Sequence, residues 1–211
     1  MRNFTILSLI ILSFTINSFA QQSDLKRFHP LSGSVAVNLE GGGTYAQTDF
    51  SNDQISYIGQ LSLDYFFPTT NMGAWGLRGY GYYGELKGSG NYYNKSTWPT
   101  IPGYYTEIAA IGGGVSYTLN VSDFFLPYAF AGADYLYYNP KDVNGIKLQR
   151  NKENRYGNIT WSLVGEIGSR FLITNSFSFN IALNYHYLPT DNIDDVDDAI
   201  SNGTQNDVFF T

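Results

Sequence analysis

Five isolated charged side chains are the residues of this sequence that most suggest chemistry. They occur among alternate positions otherwise filled mostly by Ser, Thr, Asn, Ala and Gly, and they are Glu40, Asp64, Arg78, Glu166 and Arg170. If they share a dry interior they must pair, because an isolated buried ion is very costly. The pattern therefore predicts a structural ion-pair network. A gated pore or proton path that uses the same groups is the alternative.

A sixth candidate is His186, which lies in a predicted strand and on its polar face. A histidine there could act as a general base, but general-base catalysis needs a nucleophile within hydrogen-bonding reach of the ring. No such pair is visible in the sequence. We therefore expect a satisfied interior histidine and no catalytic residue.

The segment 189–207 is rich in carboxylates, which are ligands that calcium prefers. The acidic residues are Asp191, Asp194, Asp195, Asp197 and Asp198. Their spacing fits no EF-hand loop. A short surface helix over 192–200 is an equally good interpretation. We expect a solvated loop, with no metal site and no cofactor site.

β-Strands must position these residues, because apolar residues recur with period two along most of the chain. The alternation is clearest in 177–187, where Phe, Ile, Leu and Tyr alternate with Ser, Asn, Ala and His. Further strands are predicted at 35–40, 55–67, 74–86, 105–119, 126–138 and 159–170, and an eighth begins at Val208. In 126–138 we assign Tyr128 and Phe130 to the apolar face, which places Asp134 there too. Glu107 falls on the apolar face of 105–119.

The tight turn after 55–67 fixes a register. If it centres on Asn71, Asp64 lies opposite Arg78 and Tyr65 lies opposite Leu77, so both faces of the hairpin match in kind. Bulky aromatic residues also collect at the strand ends. Phe67, Trp75, Phe171 and Phe177 would form one girdle, and Tyr57, Tyr83, Tyr105, Trp161 and Tyr187 the other.

The first twenty residues have the pattern of an export signal. A short basic start is followed by an apolar stretch over 6–12, too short to span a bilayer, and by Ser18-Phe19-Ala20 before Gln21. Such segments are removed on export. We expect 1–20 to be a signal peptide, 21–30 a lead-in and 31–211 a single barrel domain.

Composition restricts the class of protein. Aromatic residues make up 17 % of the chain and charged residues 14 %, whereas soluble domains carry about 25 % charge. A soluble sandwich or lipocalin-like barrel would expose a polar face rich in Lys and Glu, and here that face consists mostly of small residues. The net charge of −6 argues against nucleic-acid binding.

The connections alternate in length, as in transmembrane barrels with short periplasmic turns and long outer loops. The long predicted loops are 46–54, 87–104, 139–158 and 189–207. The predicted fold is therefore all-β, an eight-stranded antiparallel up-and-down transmembrane barrel with its N-terminus on the periplasmic side.

With these features together, the chain resembles the OmpA-type outer-membrane β-barrel superfamily. The resemblance spans about residues 31–211 and includes small-residue stretches such as 112–117 and 131–134. It implies a location in the outer membrane of a Gram-negative bacterium and contact with outer-membrane lipid and lipopolysaccharide. It also implies a monomer whose loops 87–104, 139–158 and 189–207 are available for extracellular contacts.

Three functions follow from this resemblance and from the residues. The first is a non-enzymatic structural, anchoring or surface-contact role. The second is a small-solute, porin-like channel. The third is a lipid-modifying enzyme with His186 as base, although Leu188 stands where barrel-type lipid A deacylases carry a serine. We favour the first.

The eighth strand is short. A strand needs about 9–11 residues to cross the hydrocarbon core, and 208–211 supplies four. We expect this segment to pair with strand seven or strand one and to stop part-way across. We also expect the native chain to continue beyond Thr211.

Overall fold

A computed structural model of the chain describes residues 12–18, 29–48, 50–92, 103–154, 157–174, 176–190, 192–195 and 207–211. These residues form ten strands and one short helix. The elements are β1 (Leu12–Ser18), β2 (Val35–Gln47), β3 (Phe50–Gln54), β4 (Ser56–Phe66), β5 (Gly73–Tyr92), β6 (Gly103–Leu119), β7 (Phe125–Asp142), α1 (Gln149–Lys152), β8 (Ile159–Thr174), β9 (Phe177–Tyr187) and β10 (Val208–Phe210). No helix within the described ranges is long and apolar enough to cross a membrane.

The strands close into an antiparallel barrel with eight wall positions. Seven positions are filled in chain order from β2 to β9, with β3 and β4 lying in line along β5. The eighth position, between β9 and β2, holds β10 at its outer end and β1 at its inner end. The predicted fold class is confirmed. The pairing of Val208–Phe210 part-way across the wall is confirmed as well.

β1 comes from the segment predicted to be a signal peptide. It runs antiparallel to both neighbours, with Ser13 opposite Glu40 of β2 and Asn180 of β9. In the full chain, therefore, residues of the predicted leader complete the inner half of the wall. Most of the predicted lead-in, 21–28, lies outside the described residues.

Alternation sets the two faces of the wall. On β2, β4, β8 and β9 the apolar residues predicted to face lipid point outward, among them Leu39, Leu61 and Ile167 at 64 %, 58 % and 65 % exposure. Their neighbours in sequence point into the lumen, and most of them are buried. Period-two patterning thus places apolar side chains outside and polar ones inside.

β7 faces the other way from the prediction. Tyr128, Phe130 and Asp134 point into the lumen and are 3–6 % exposed, whereas Tyr135 and Tyr137 point outward. The prediction was wrong because it treats aromatic residues as markers of the lipid face. On β6, the carboxylate of Glu107 does lie on the outward face, near the outer end and 2.7 Å from Lys141 Nζ.

The predicted long loops are shorter than expected. β2 and β3 take up most of 46–54, and β5, β6 and β7 extend into 87–104 and 139–158. These strands are longer than predicted because their backbones remain hydrogen-bonded to each other above the apolar band. The sequence does not predict this extension, since apolar and polar side chains no longer alternate there. Residues 93–102, 191 and 196–206 lie outside the described residues, so the proposed helix over 192–200 is described only as a turn at 193–195.

Two apolar clusters fill the ends of the lumen. The inner one consists of Leu31, Ala36, Phe66, Ala74 and Leu126. The outer one is larger and includes Tyr80, Tyr82, Phe130, Val164 and Phe209. Most of the predicted charged residues lie at the level where these two clusters approach each other.

Candidate functional site: the charged lumen

Strand register brings the first charged pair together. Asp64 on β4 lies directly opposite Arg78 on β5, which confirms the register predicted from the turn. Arg78 Nε donates to Asp64 Oδ1 at 2.6 Å. The same carboxylate accepts a second hydrogen bond, from Arg170 Nη2 on β8 to Oδ2 at 2.9 Å. Asp64 therefore links two arginines of different strands.

Arg78 spans the lumen. Its Nη1 donates to both oxygens of Glu166 on β8, at 2.9 and 2.7 Å. The side chains of Asp64, Arg78, Glu166 and Arg170 are all at most 2 % exposed. Charge-assisted hydrogen bonds of this kind are the strong ones, and buried charges require them. The four residues form one continuous chain across the barrel.

Glu40 does not join this chain. Its Oε2 accepts a hydrogen bond from Gln60 Nε2 at 2.9 Å, and its Oε1 has no hydrogen-bond partner in the structure. Of the five residues in the predicted ion-pair network, the structure joins Asp64, Arg78, Glu166 and Arg170 by hydrogen bonds. Glu40 lies nearby and bonds to Gln60 instead. The cause is register: Glu40 lies opposite Gln60, so its nearest cross-strand neighbour is an amide.

Three aromatic rings that the sequence analysis did not assign to the site enclose the guanidinium groups. The rings of Tyr128 and Phe130 lie 5.5 and 5.0 Å from Arg78 Cζ, and that of Phe66 lies 5.2 Å from Arg170 Cζ. Rings at this range attract a cation. They also fill the space beside the ions, so the lumen at this level is packed.

Asp134 organises a second polar cluster closer to the outer end. Ser162 Oγ donates to its Oδ1 at 2.5 Å, and Tyr80 Oη donates to its Oδ2 at 3.2 Å. The ring of His186 stacks on Phe209, with centroids 4.1 Å apart, and its Nδ1 is 3.9 Å from Asp134 Oδ2. The period-two pattern predicts that Asp134 faces lipid, whereas it points into the lumen. The sequence analysis therefore does not predict this cluster.

This second cluster lacks the order that nucleophilic catalysis needs. A serine nucleophile must hand its proton to a histidine that an acid orients. Here Ser162 donates to Asp134 instead, and the Nδ1 atom of His186 makes no hydrogen bond in the structure. The geometry is that of a buried polar cluster.

The acidic segment is partly drawn inward. Asp194 and Asp195 are buried, and Asp195 accepts a hydrogen bond from the backbone N–H of Asn151 at 2.8 Å. Among the described residues no group of His, Cys, Asp or Glu side chains is arranged to hold a metal ion. Asp191, Asp197 and Asp198 lie outside the described residues.

His29 closes the inner end of the lumen. Its Nε2 lies 3.2 Å from the carbonyl oxygen of Thr118, and the backbone N–H of Leu31 donates to its Nδ1 at 3.2 Å. Both ring nitrogens are therefore satisfied in the neutral form with the proton on Nε2. Burial lowers the pKa of His29 to about 4, although its hydrogen bond to Thr118 acts in the opposite direction.

Comparison with known proteins gives a family. A family model described as "Outer membrane protein beta-barrel domain" matches residues 6–204. A comparison with curated proteins finds no match. Among solved structures, the chain is similar to Ail, the attachment invasion locus protein of Yersinia pestis, in complex with the heparin analogue sucrose octasulfate. The identity is 13 %, the coverage is 95 % of this chain and 93 % of that one, and the TM-score is 0.44. It is also similar to OprG from Pseudomonas aeruginosa, at 12 % identity, 96 % and 87 % coverage and a TM-score of 0.38.

Proposed function

Because the chain belongs to the outer-membrane β-barrel domain family, we propose that it is a non-enzymatic membrane scaffold with a plugged lumen that carries contact surfaces outside the cell. The outer membrane is the location of the family. The structural, anchoring and surface-contact role is our proposal. It rests on two features of the structure: the ionic bridge that fills the lumen, and the parts of β5, β6 and β7 that extend beyond the membrane at the outer end.

The observation that carries the proposal is the ionic bridge across the lumen. Arg78 connects β4 to β8 through Asp64 and Glu166, and aromatic rings pack against it. A solute would have to break charge-assisted hydrogen bonds between fully desolvated groups to pass. This argues for a plug and against the porin-like alternative.

The outer end supports a surface-contact role. A barrel strand crosses the hydrocarbon core with about 9–11 residues, but β5, β6 and β7 have 20, 17 and 18. The surplus extends the wall above the membrane at the outer side. Long paired strands are a stiffer platform than loops, since each backbone group is held in a ladder. The segments 87–104, 139–158 and 189–207 remain our candidates for extracellular contacts.

Single-channel recording of the refolded protein in planar bilayers tests the proposal. We expect no stepwise conductance from the wild-type chain. Glu166→Gln keeps the volume of the side chain and removes one charge of the bridge, so it is the matched variant. Unitary steps from the wild-type protein whose size changes in Glu166→Gln would show that the lumen conducts and would overturn the proposal.

We also propose that residues 1–20 are removed on export, so that the mature chain begins near Gln21. The support is the basic start and the short apolar stretch of the sequence. Removal would take β1 away from the inner halves of β2 and β9. N-terminal sequencing of protein recovered from the outer membrane decides this. A chain that still contains Leu12–Ser18 would show that β1 belongs to the working barrel.

A further inference from the structure

A seam in the barrel wall, between β2 and β9, is filled by two separate segments. β10 lies at its outer end, where Thr211 and Asn184 of β9 exchange backbone hydrogen bonds of 2.8 and 3.1 Å. β1 lies at its inner end, with Ser18 opposite Val35 of β2. Both segments run antiparallel to β2 and β9, so they point in the same direction along the seam.

β1 also lies on the line that β10 would follow if it ran further inward. Along β2, Phe210 is opposite Tyr45, and Ser13 is opposite Glu40, five residues further inward. Along β9, the partners of the same two residues are again five positions apart. Because the step is equal on the two sides, β1 keeps the register of β10. One continuous strand could therefore occupy the whole seam.

Among the residues that the structure describes, four buried polar atoms beside the inner half of the seam have no hydrogen-bond partner. They are Glu40 Oε1 and Asn38 Oδ1 on β2, Ser178 Oγ on β9, and Nη1 of Arg170, whose Nε donates to Asn180 of β9. The four residues that carry them are at most 7 % exposed. Buried polar atoms are nearly always paired. β1 fills this half of the seam without pairing these atoms, so they indicate a different strand with longer polar side chains.

The charged set of the lumen has three carboxyl groups and two guanidinium groups; its members are Glu40, Asp64, Arg78, Glu166 and Arg170. The carboxylate that lies outside the ionic bridge is that of Glu40, which accepts a hydrogen bond from Gln60 on β4. On its other side lies the seam, where Ser13 is directly opposite Glu40. Directly opposite residues of an antiparallel pair lie on the same face. A cation at this position of a seam strand would therefore reach Glu40 and balance the charge of the set.

We propose that the inner half of the seam is a binding site for an extended segment that carries a lysine or arginine opposite Glu40. A segment that follows Thr211 reaches this place without a change of direction or register, so we assign the site to that stretch of the native chain. β1 takes the same place in the full chain and leaves it with the leader. Opposite Leu39 and Val37, which are 64 % and 43 % exposed on the lipid face, the segment carries apolar residues. The inference concerns the closure of the wall and goes beyond the proposed function, which concerns the lumen and the outer end.

The full chain allows the charge to be tested, because Ser13 of β1 already occupies the position opposite Glu40. Ser13→Lys places an ammonium there, and Ser13→Gln is the matched variant with a polar, uncharged side chain. We expect the unfolding equilibrium constant of Ser13→Lys to be on the order of tenfold smaller than that of Ser13→Gln, since a charge-assisted hydrogen bond replaces a neutral one. In a Glu40→Gln background the two variants should unfold alike. Urea unfolding in lipid vesicles measures these constants, and heat-dependent migration on SDS gels checks that each variant folds.

A second measurement tests the occupant. The full chain is lengthened after Thr211 by nine designed residues, which the register places opposite positions 43 to 35 of β2. Apolar and small polar residues alternate along them, and the fourth, opposite Glu40, is lysine; the matched extension has glutamate there. We expect the lysine extension to displace β1, so that chymotrypsin cuts after Phe14 on the order of tenfold faster than in the chain without an extension. The glutamate extension should leave the rate unchanged, because it would bury two like charges side by side.

Three results would overturn the proposal. They are equal unfolding constants for Ser13→Lys and Ser13→Gln, a difference between them that persists in the Glu40→Gln background, and equal cleavage after Phe14 in the lysine-extended, glutamate-extended and unextended chains. Equal displacement of β1 by both extensions would refute the cation opposite Glu40. None of these results bears on conductance. A conducting wild-type protein whose seam prefers the lysine extension would refute the proposed function alone.

Discussion

Arg78 contacts Asp64 of the neighbouring strand and Glu166 of a strand on the far side of the wall. The rings of Tyr128 and Phe130 also lie close to its guanidinium, with centroids 5.5 and 5.0 Å from Cζ. A guanidinium suits this position because its donors lie in a rigid planar fork and its charge persists at any physiological pH. The residue therefore ties the wall together across its diameter.

Removing one partner of this network should be costly. Asp64→Ala leaves Arg78 and Arg170 without a shared counter-ion, and we expect a loss of about 3–5 kcal/mol in the free energy of unfolding, the usual cost of stranding a buried charge. Urea unfolding of the barrel refolded into lipid vesicles measures it. Glu40→Gln is the matched control and should lose much less, since Glu40 contacts neither arginine in the structure.

Coupling between the two residues is a separate expectation. The double variant Asp64→Ala/Arg78→Ala should lose less than the sum of the two single losses, by about 0.5–3 kcal/mol, as residues of one network do. Strictly additive losses would show that the pair seen in the structure does not contribute to stability.

His29 should make the barrel sensitive to acid. Its pKa is about 4 in the folded chain and about 6.5 when unfolded, so between these values only the unfolded state takes up the proton. Stability is therefore full above pH 6.5 and falls as the pH drops toward 4. A proton on Nδ1 would also face the N–H of Leu31, which now donates to that atom.

Comparison with His29→Asn isolates this contribution. Between pH 7 and pH 5 the wild type should lose about 1–2 kcal/mol more unfolding free energy than the variant, measured by urea unfolding at each pH. Equal slopes against pH in the two proteins would mean that His29 is solvated and titrates normally.

At the level of single residues, the sequence predicts the charged site wherever polar positions alternate with aliphatic ones. Asp64, Arg78 and Glu166 are found this way, because Leu63, Leu77 and Ile167 next to them mark the lipid side. Arg170 is found by continuing the same alternation along its strand. Asp134 is placed on the wrong face because its strand is oriented by Tyr128 and Phe130, and aromatic residues occur on both faces of a barrel wall. An aromatic ring faces lipid in one strand and packs against a guanidinium in the next.

At the level of elements, β6 and β7 approach each other unusually closely. A Cβ at Gly114 would lie 2.2 Å from the carbonyl oxygen of Ala131 and 2.5 Å from the Cα of Gly132. Both atoms belong to the backbone, so neither can move aside cheaply. Glycine at this position allows the wall beside Arg78 to close.

Gly114→Ala should therefore lower the free energy of unfolding by about 1–3 kcal/mol, the range for overpacking. Gly79→Ala is the matched control on β5, where a Cβ would meet nothing within 4 Å, and it should change stability by less than about 0.5 kcal/mol. Both changes are read from urea unfolding in the same vesicles. Equal losses in the two variants would show that the cost comes from replacing glycine by alanine in a strand, and not from the close approach of β6 and β7 at Gly114.

The extent of the elements is predicted less well than their existence. Inside the membrane, lipid forces apolar residues onto every second position, so the strands are visible in the sequence. Above it both faces meet polar surroundings, and the outer parts of β5 and β7 have no such signature. The pairing of β1 is also invisible in advance, because its residues fit the apolar pattern of an export signal equally well.

At the level of the whole molecule, the barrel is apolar outside and layered inside. An apolar cluster at the inner end and a larger one at the outer end enclose the ionic bridge. The apolar surface is exposed as a continuous band, which only a lipid surrounding makes favourable. The ionic bridge that plugs the lumen depends on this orientation of the wall.

Spin labels on β7 test that orientation most directly, because its faces are the reverse of what its aromatic residues suggest. The chain has no cysteine, so single cysteines at Ala129, Ala131 and Ala133 can each be labelled after refolding into vesicles. The measurement is collision with oxygen, which concentrates in lipid, against collision with a water-soluble nickel chelate.

All three positions point outward in the structure. The labels should therefore be mobile, highly accessible to oxygen and protected from nickel, with Ala131 and Ala133 deeper in the bilayer than Ala129. Immobile labels with low oxygen access would place these residues in a packed lumen. Ready access for nickel would place this face of the wall in water, and either result would contradict the membrane barrel described above.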